Sequence, residues 1–351
     1  MIPSIRWLDD EGAVELIDQV RLPHELAFLK IRTFEAMARA IKVMNVRGAP
    51  AIGVAAAMGM TLAAQQAIAE NKLSRDSILA FLENAKKIID STRPTAVNLF
   101  WATTRMMERA RATDGNAREI VSALVTEAKT MWQEDIDRNK AIGKHGAALL
   151  KDGDTILTHC NAGSLATVQY GTALAPIRAA IEQGKKIQVI ADETRPRLQG
   201  ATLTAFELHY DKIPVKVISD NSSGLLMRLG KIQKVIVGAD RIVQDAVFNK
   251  IGTFMVALAA NYNKIPMYVA APSSSLSLME KAKDVIIEQR DGAEVTSILG
   301  KVKIVPDGVE AINYAFDETP LDLITGIITE DGVFTPKELL EKYLSKITKA
   351  G

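Results

Sequence analysis

Residues 155–164 read TILTHCNAGS, an apolar run that ends in small and polar residues and leads into a helical pattern. This pattern is typical of a strand, a turn and a helix. In an open α/β sheet the turn lies at the carboxyl end of the strand, where ligands bind. Residues 234–240, KVIVGAD, have the same form. The two segments therefore predict that Cys160 and Asp240 lie at one edge of a parallel sheet.

Short apolar runs and helical patterns alternate throughout the region that follows residue 150. The predicted strands are Thr155–His159, Ile187–Ala191, Val215–Ser219, Lys234–Gly238 and Pro266–Ala271. The predicted helices between them are Leu165–Gln183, Thr202–Tyr210, Gly224–Leu229 and Ile251–Asn263. Five β–α steps favour a doubly wound parallel sheet with right-handed crossovers, and the continuously apolar strands indicate burial on both faces.

The region before residue 150 has a mostly helical pattern. Apolar side chains recur at helical spacing over residues 14–20 and 28–41, and further helices are predicted near 49–69, 75–89, 95–112 and 116–149. A chain of 351 residues is too long for one small core. We therefore predict an α/β protein with two domains, a mainly helical one at 1–150 and one containing the sheet at 151–351.

Composition argues against several classes of protein. The chain has 43 basic and 42 acidic residues, so no field of one sign attracts nucleic acid or a membrane surface. A single cysteine excludes an internal disulfide framework and fits a reducing compartment. The first ten residues lack the pattern of a secretory signal. The longest apolar stretch, residues 49–64, is rich in Ala and Gly and predicts a buried helix. We expect a cytoplasmic protein with no nucleic-acid or membrane partner.

Polar and ionisable residues follow the predicted strands, which is the main argument for a site. They are Cys160, residues 192–197, Asp220, Asp240 and Ser273. Random surface polarity would not track the ends of strands. Two structural alternatives stay open, because a lone cysteine is often a small buried hydrophobe and an aspartate after a strand is often a helix N-cap.

Three segments predict a phosphorylated ligand. Residues 47–50, RGAP, precede the Ala-rich helix, where glycine allows close backbone approach and free N–H groups attract an anion. Residues 249–253, NKIGT, offer a second helix start with Lys250 as a point charge. Arg93 adds a guanidinium suited to bidentate contacts. Each segment alone could be a capped helix or a solvated charge. Neither the phosphate loop of ATPases nor the three-glycine dinucleotide fingerprint is present.

A metal site is not predicted. The four histidines are scattered and show no ligand spacing with one another or with Cys160. His159 and Cys160 are neighbours in the chain, so on a strand they point to opposite faces, and His159 more naturally orients a loop. Asp240 is the natural acid–base partner for Cys160, because a carboxyl group in an apolar site can hold a proton near neutral pH.

Several strings resemble methylthioribose-1-phosphate isomerase. They are RGAPAIG at 47–53, TRPTAVNL at 92–99, THCNAG at 158–163, DETRPRLQGA at 192–201, GADRI at 238–242, NKIGT at 249–253, NYAFD at 313–317 and IITEDG at 327–332. They cover nearly the whole chain.

The resemblance implies a homodimeric enzyme of methionine salvage with a Rossmann-like carboxyl-terminal domain. It would convert 5-methylthioribose 1-phosphate to 5-methylthioribulose 1-phosphate without a cofactor or metal. Cys160 would stabilise the transition state and Asp240 would donate the proton. Contacts with the sugar phosphate would come from Arg47, Gly48, Ala49, Arg93, Gln199, Asn249 and Lys250.

One segment departs from the family pattern and keeps the substrate open. Residues 241–248, RIVQDAVF, stand where bacterial members usually have an Asn-Gly-Asp turn. They look like archaeal relatives, some of which are assigned to other sugar phosphates. The wider superfamily includes ribose-1,5-bisphosphate isomerase and non-catalytic regulatory subunits of the exchange factor for translation initiation factor two. Retention of both Cys160 and Asp240 favours an isomerase. The sequence leaves open whether hydrogen moves as a proton or as a hydride.

Overall fold

The computed structural model describes residues 1–94 and 96–350, with the backbone alone described for 346–350. The strands within these residues are β1 (Ile5–Leu8), β2 (Ala13–Ile17), β3 (Phe28–Ile31), β4 (Thr155–Thr158), β5 (Gln188–Asp192), β6 (Val215–Ile218), β7 (Lys234–Val237), β8 (Arg241–Ile242), β9 (Ala246–Lys250), β10 (Met267–Ala270), β11 (Ser297–Ile298), β12 (Val302–Lys303), β13 (Phe316–Pro320), β14 (Gly326–Thr329) and β15 (Gly332–Phe334). The α-helices are α1 (Phe34–Lys42), α2 (Ala49–Ala69), α3 (Arg75–Asp90), α4 (Val97–Ala112), α5 (Ala117–Ala147), α6 (Ala175–Glu182), α7 (Ala205–Tyr210), α8 (Ser223–Arg228), α9 (Thr253–Tyr262), α10 (Ala293–Thr296) and α11 (Pro336–Ala350).

The main sheet has seven strands in the order β15-β14-β10-β7-β4-β5-β6. The pairs from β6 to β14 are parallel, and only β15 is antiparallel to its neighbour. The predicted parallel sheet is confirmed, and each of the five predicted strands lies within one residue of an observed one. Within this sheet the chain passes first through β4, continues outward through β5 to β6, and then returns to β7 on the other side of β4. This reversal between β4 and β7 is the topological switch point of a Rossmann-like sheet.

Two compact units make up the chain. The helical unit consists of Ile2–Asp137 and Ser164–Gly171, and the sheet unit consists of Met1, Arg138–Gly163 and Thr172–Gly351. Residues 164–171 thus group with the helical unit although they follow β4 in the chain. The proposed domain division at residue 150 stays a prediction, because a grouping of contacts does not establish where separately folded domains end.

The core of the sheet unit forms because its strands carry apolar side chains on both faces. Val235, Ile236 and Val237 of β7 are fully buried, as are Ile156 and Leu157 of β4. Such strands have no polar face for water and must be covered by helices on both sides. The ends of β4 and β7 are therefore held at fixed positions by a packed interior.

Four long helices between residues 49 and 147 confirm the predicted ones. Helices α2 to α5 begin and end within two residues of the predicted bounds, and Thr95, in the predicted start of α4, lies outside the described residues. Helix α2 has the length and composition of a membrane span, with a mean hydropathy of 1.4, but 83% of that span is buried in the protein. Gly53 and Gly59 allow close packing, since a Cβ on them would lie 3.1 Å from Asn98 O and from Met37 Cγ respectively. The predicted buried helix is confirmed.

The helical pattern predicted over residues 14–20, and over the first part of 28–41, is wrong. This region forms β2 and β3, which pair with β1 in a three-stranded antiparallel sheet. In β2 only the central Glu15 is half-exposed between buried apolar neighbours. Apolar residues at 14 and 16 fit a period of two, whereas those at 14 and 17 fit a helical face, so the periodicity of this short run is ambiguous. Helix α1 begins only after Thr33, whose hydroxyl accepts the Ala36 N–H at 3.2 Å.

The predicted helix Leu165–Gln183 is also wrong in its first half. A 3-10 turn at Ser164–Ala166 is followed by irregular chain up to α6. Tyr170 and Gly171 both have left-handed φ angles, of 71° and 84°, which a continuous α-helix does not permit. The true start of α6 is marked by Pro176, which is pre-organised for the first turn of a helix.

Candidate active site

The turns after β4 and β7 meet at the switch point of the sheet. The strands pair directly, with Leu157 opposite Val235, so the residues that follow them leave the same edge. A Cβ on Gly238 would lie 2.6 Å from the Cβ of Ala162, so only glycine permits this close approach of the two turns. The structure therefore places Cys160 and Asp240, both half-buried, at the ends of neighbouring strands, as the sequence predicts.

The backbone of Cys160 is held in an uncommon conformation. Its φ angle is 65°, a left-handed value that costs a residue with a Cβ about 1–3 kcal/mol. Its N–H donates to the Thr194 hydroxyl at 2.8 Å, and its carbonyl accepts from the Thr204 hydroxyl at 2.7 Å. The backbone N–H and the backbone carbonyl of Cys160 are therefore both hydrogen-bonded to threonine side chains.

A buried network of charges lies behind the same turn. The Asn161 side chain donates to Thr204 Oγ1 at 3.0 Å and to Glu207 Oε1 at 2.5 Å. The Arg178 guanidinium donates to Glu207 Oε2 at 2.8 Å and to Asp211 Oδ2 at 2.7 Å. The side chains of Arg178 and Glu207 are only 3% and 4% exposed. The turn after β4 is therefore anchored in the interior through Asn161.

His159 orients a loop, as the sequence predicts, and does not act on Cys160. Its Nδ1 lies 3.0 Å from Asp192 Oδ2, and its Nε2 lies 2.8 Å from the Ile251 carbonyl. A carbonyl can only accept, so Nε2 carries a proton. Burial by itself lowers the pKa of His159, but the hydrogen bond and charge of Asp192 and the Ile251 carbonyl outweigh it and raise the pKa. The His159 ring thus connects the end of β4 to the segment before α9.

The raised pKa of His159 predicts a pH-dependent contribution to stability. A folded-state pKa above the ordinary 6.5 gives stability that is complete below that value and is lost as pH rises through the folded pKa. We expect the difference in unfolding free energy between wild type and His159→Asn to shrink as pH rises above 6.5, as measured by urea denaturation. A difference that grows with pH would contradict this role.

Asp192 and Asp220 complete the hydrogen bonds around His159. Asp192 Oδ1 accepts from Ser223 at 2.6 Å, and the two oxygens of Asp220 accept the N–H groups of Thr194 and Arg195, each at 2.7 Å. The ligand atoms of His159, Asp192 and Asp220 lie within 4.8 Å of one another, a spacing that could suit a metal ion. The Asp220 oxygens already bind backbone N–H groups and the Asp192 oxygens bind Ser223 and His159, so this cluster is best described as structural.

The second predicted anion-binding helix start is already occupied by the protein. Asp317 Oδ2 accepts the N–H groups of Gly252 at 2.7 Å and Phe254 at 3.2 Å, at the beginning of α9. The cause is the antiparallel pairing of β13 with β9, which places Asp317 opposite Asn249. Burial raises the pKa of Asp317, whereas the two N–H groups act in the opposite direction. Because the N–H groups of Gly252 and Phe254 already bond Asp317, they do not support the prediction that this helix start binds the phosphate.

Asn249 and Lys250 themselves are buried, each 5% exposed. The Asn249 amide donates to Thr253 Oγ1 at 2.9 Å. The Lys250 ammonium donates to the Ala315 carbonyl at 2.7 Å and lies 4.5 Å from the centre of the Phe316 ring. These contacts fix both side chains at the end of β9. Their contact with substrate stays a prediction.

Gln199 is the predicted residue with the clearest unfilled hydrogen-bonding capacity. It lies at the start of a π-helix, Gly200–Thr204, an element often found at functional sites. Its side chain is 5% exposed, and among the described residues its Oε1 has no hydrogen-bond partner. A buried amide oxygen without a partner costs about 1–3 kcal/mol, which a ligand hydroxyl could recover. The observation is consistent with a ligand contact.

The helical unit contains the remaining predicted residues. Gly48 precedes α2 with φ of 97°, and a Cβ there would lie 2.3 Å from the Ala166 carbonyl oxygen. Helix α2 has neither a side-chain cap nor an acidic residue in its first turn, which begins at Ala49. Arg47 and Arg93 are half-buried, and Arg93 lies between α3 and α4. The start of α2 therefore keeps the character of an anion site.

Sequence reasoning missed several residues that shape the site. Thr194 and Asp317 lie in strings that carry the family resemblance, so the sequence marks both residues but does not indicate what either one does. Thr204, Glu207 and Arg178 gave no such signal, because charged and hydroxyl residues in helical patterns usually face water. Only the tertiary packing shows that these three are buried.

Comparison with known proteins gives a consistent family. Residues 45–336 match the model of the Initiation factor 2 subunit family. The methylthioribose-1-phosphate isomerase of Thermosipho africanus is 52% identical over 95% of each chain. The structure of 5-methylthioribose 1-phosphate isomerase from Pyrococcus horikoshii OT3 matches with a TM-score of 0.90 and 41% identity over 99% of this chain and 96% of that one. The translation initiation factor eIF-2B, subunit delta, from A. fulgidus matches with a TM-score of 0.86 and 46% identity over 97% and 98%.

Proposed function

The chain belongs to the Initiation factor 2 subunit family, and we propose that it is an aldose–ketose isomerase that converts 5-methylthioribose 1-phosphate to 5-methylthioribulose 1-phosphate. The observation that carries the proposal is the position of Cys160 and Asp240 at the ends of β4 and β7. These strands flank the switch point, where open α/β sheets bind their ligands. A thiol and a carboxyl group at that point suit proton chemistry on a small ligand.

The chemistry of a furanose 1-phosphate explains why this pair is needed. Its anomeric oxygen bears the phosphate, so the ring cannot open to a free aldehyde. The bond between C1 and the ring oxygen must break, the ring oxygen must gain a proton, the hydrogen on C2 must move to C1 and the 2-hydroxyl must lose its proton. We propose that Asp240 donates the proton that the ring oxygen gains. Cys160 would stabilise the transition state beside C1 and C2.

The phosphate and the sugar would be bound by the remaining residues of the proposed site. A phosphate would suit the start of α2 because its free N–H groups and the neighbouring cation favour negative charge. We therefore propose phosphate contacts for Arg47, Gly48, Ala49 and Arg93, and contacts with the sugar phosphate for Gln199, Asn249 and Lys250. No cofactor or metal is part of this proposal.

Removal of the Arg93 charge should weaken binding more than turnover. The phosphate is present in substrate, transition state and product, so its contacts are largely uniform along the reaction. A charge-assisted hydrogen bond contributes about 1.5–3 kcal/mol, so we expect Arg93→Met to raise KM by roughly 10- to 100-fold with a smaller change in kcat. Steady-state kinetics measures both, with Arg39→Met, an exposed arginine in the last turn of α1, as a control. A fall confined to kcat would contradict a phosphate contact.

The alternative substrate is ribose 1,5-bisphosphate, which carries a second phosphate where the proposed substrate has a methylthio group. A dianion in an apolar site is costly, whereas loss of a methyl or sulfur contact changes specificity by only about 1–3 kcal/mol. A turnover assay in which the purified protein receives both substrates in competition tests the proposal. We expect a clear preference for 5-methylthioribose 1-phosphate. A preference for the bisphosphate would overturn the proposed substrate but would leave the assignment of the protein as an isomerase in place.

A second candidate function is a non-catalytic regulatory subunit, which the 46% identity to the A. fulgidus protein favours. The retained Cys160 and Asp240 favour the enzyme instead, because a binding module has no need of that pair. The same assay separates the two, since a regulatory subunit would turn over neither substrate. A role in methionine salvage, a cytoplasmic location and a homodimer belong to the same proposal, and sedimentation would test the homodimer.

A further inference from the structure

We infer that Thr194 and Thr204 are positioning residues that hold Cys160 from opposite sides of its backbone. The inference rests on the proposed function, in which Cys160 acts on the substrate. Thr194 Oγ1 accepts the Cys160 N–H at 2.8 Å, and Thr204 Oγ1 donates to the Cys160 carbonyl at 2.7 Å. The two hydroxyls together bond the N–H and the carbonyl of the residue whose φ is left-handed.

Thr194 is itself fixed on every side. Its hydroxyl donates to the Asp192 carbonyl at 2.9 Å, so its lone pair is directed toward the Cys160 N–H. Its own N–H is held by Asp220 at 2.7 Å, and its φ is also left-handed, at 65°. A Cβ on Gly200 would lie 2.8 Å from the Thr194 hydroxyl, so the π-helix packs directly against it. Little room remains for the hydroxyl to turn elsewhere.

Thr204 reaches Cys160 because it ends the π-helix. Its hydroxyl donates to Cys160 and accepts from the Asn161 amide at 3.0 Å, and the Asn161 amide also donates to Glu207. In an α-helix a threonine hydroxyl often bonds the carbonyl four residues earlier, as Thr126 does to Ser122 at 3.0 Å in α5. The Thr204 hydroxyl is directed to another segment instead. Both threonines are fully buried, so neither hydroxyl is satisfied by bulk water.

This arrangement explains how a strained backbone persists at the sheet edge. Left-handed residues with a Cβ remain only where their surroundings over-determine them, and they concentrate at functional sites. A misplacement of a reacting group by about 1 Å can lower turnover by about 10²-fold. Two hydroxyls bonded to the backbone of one residue, on the two peptide groups that flank its Cα, therefore control the position of the thiol.

The test replaces each hydroxyl by a methyl group of the same size. We expect Thr194→Val and Thr204→Val to lower kcat by roughly 10- to 100-fold with KM within about threefold of wild type. Thr194→Ser and Thr204→Ser keep the hydroxyl and should recover most of kcat. Thr202→Val is the matched control in the same π-helix, and it should turn over as wild type does. Thermal unfolding of each variant checks that it is folded.

A second measurement does not depend on turnover. Cys160 is the only cysteine in the chain, so the rate of iodoacetamide labelling reports on that side chain alone. Loss of one hydrogen bond frees the turn to sample more exposed conformations, and we expect labelling of Thr204→Val to be about fivefold faster. Thr204→Ser and Thr202→Val should label at the wild-type rate. Equal labelling of Thr204→Val and wild type overturns the inference.

The two measurements also separate this inference from the proposed function. Failure of wild type to turn over either sugar phosphate rejects the proposed function, and labelling still decides whether the threonines hold Cys160. Normal wild-type turnover with unchanged kcat in both valine variants rejects the positioning role. Loss of kcat in the serine variants equal to that in the valine variants rejects it as well, because the hydroxyl would then not be the cause.

Discussion

Cys160→Ala is expected to lower kcat by at least about 10²-fold, the usual scale for loss of a group that stabilises charge in a transition state. The side chain is small and half-buried, so alanine should be accommodated without disturbing the turn. The Thr194 and Thr204 bonds involve only the backbone of residue 160 and remain possible. Steady-state kinetics with the competing substrates measures the effect. Turnover near the wild-type value would remove Cys160 from the mechanism.

Asp240→Asn should produce a loss of similar size for a different reason. The amide keeps the shape of the carboxyl group but cannot donate an acidic proton, and loss of a general acid costs about 10²- to 10⁴-fold. Asp245→Asn is the matched control, since Asp245 is exposed and its Oδ1 accepts the Ala282 N–H at 2.8 Å. Both variants should bind product with nearly wild-type affinity by calorimetry. A fall in kcat for Asp245→Asn equal to that for Asp240→Asn would indicate a general disturbance of the loop.

The sheet could be predicted closely because its strands have an unmistakable signal. Fully buried parallel strands are short, continuously apolar and bounded by turns, as Val235, Ile236 and Val237 show. The order of the strands could not be predicted, because each β–α step is compatible with either side of the sheet. The amino-terminal strands were missed because β2 has only five residues, too few to separate a period of two from a helical face.

The candidate site was predictable only in part, and the division has a physical reason. Cys160 and Asp240 follow strands, and strand ends of a parallel sheet share one edge, so local pattern was sufficient. Asp317 caps α9 from a distant strand, and the segment before α9 therefore looked like a free anion site. Thr204 looked like an ordinary helical residue because a π-helix has no sequence signature. The roles of Asp317 and Thr204 depend on contacts between segments far apart in the chain, which local sequence pattern does not show.

Arg178 gives the largest expected effect on stability. Its guanidinium is 3% exposed and donates to both Glu207 and Asp211, and Glu207 also accepts from Asn161. Replacement of Arg178 by methionine would leave the Glu207 carboxylate buried without its cation. Breaking a buried pair on one side typically costs about 3–5 kcal/mol. We expect Arg178→Met to lower the free energy of unfolding by this amount in urea denaturation.

Two comparisons isolate the buried charge as the cause. Arg6 forms an ion pair with Glu15 at the surface, where its side chain is 57% exposed, and Arg6→Met should change stability by no more than about 1 kcal/mol. The double variant Arg178→Met with Glu207→Leu removes both charges and should recover part of the lost stability, because an apolar pair of similar volume is often as stable as a buried ion pair. If the double variant is less stable than Arg178→Met alone, the cost lies in lost packing and hydrogen bonds, and an unpaired Glu207 charge is not the reason for it.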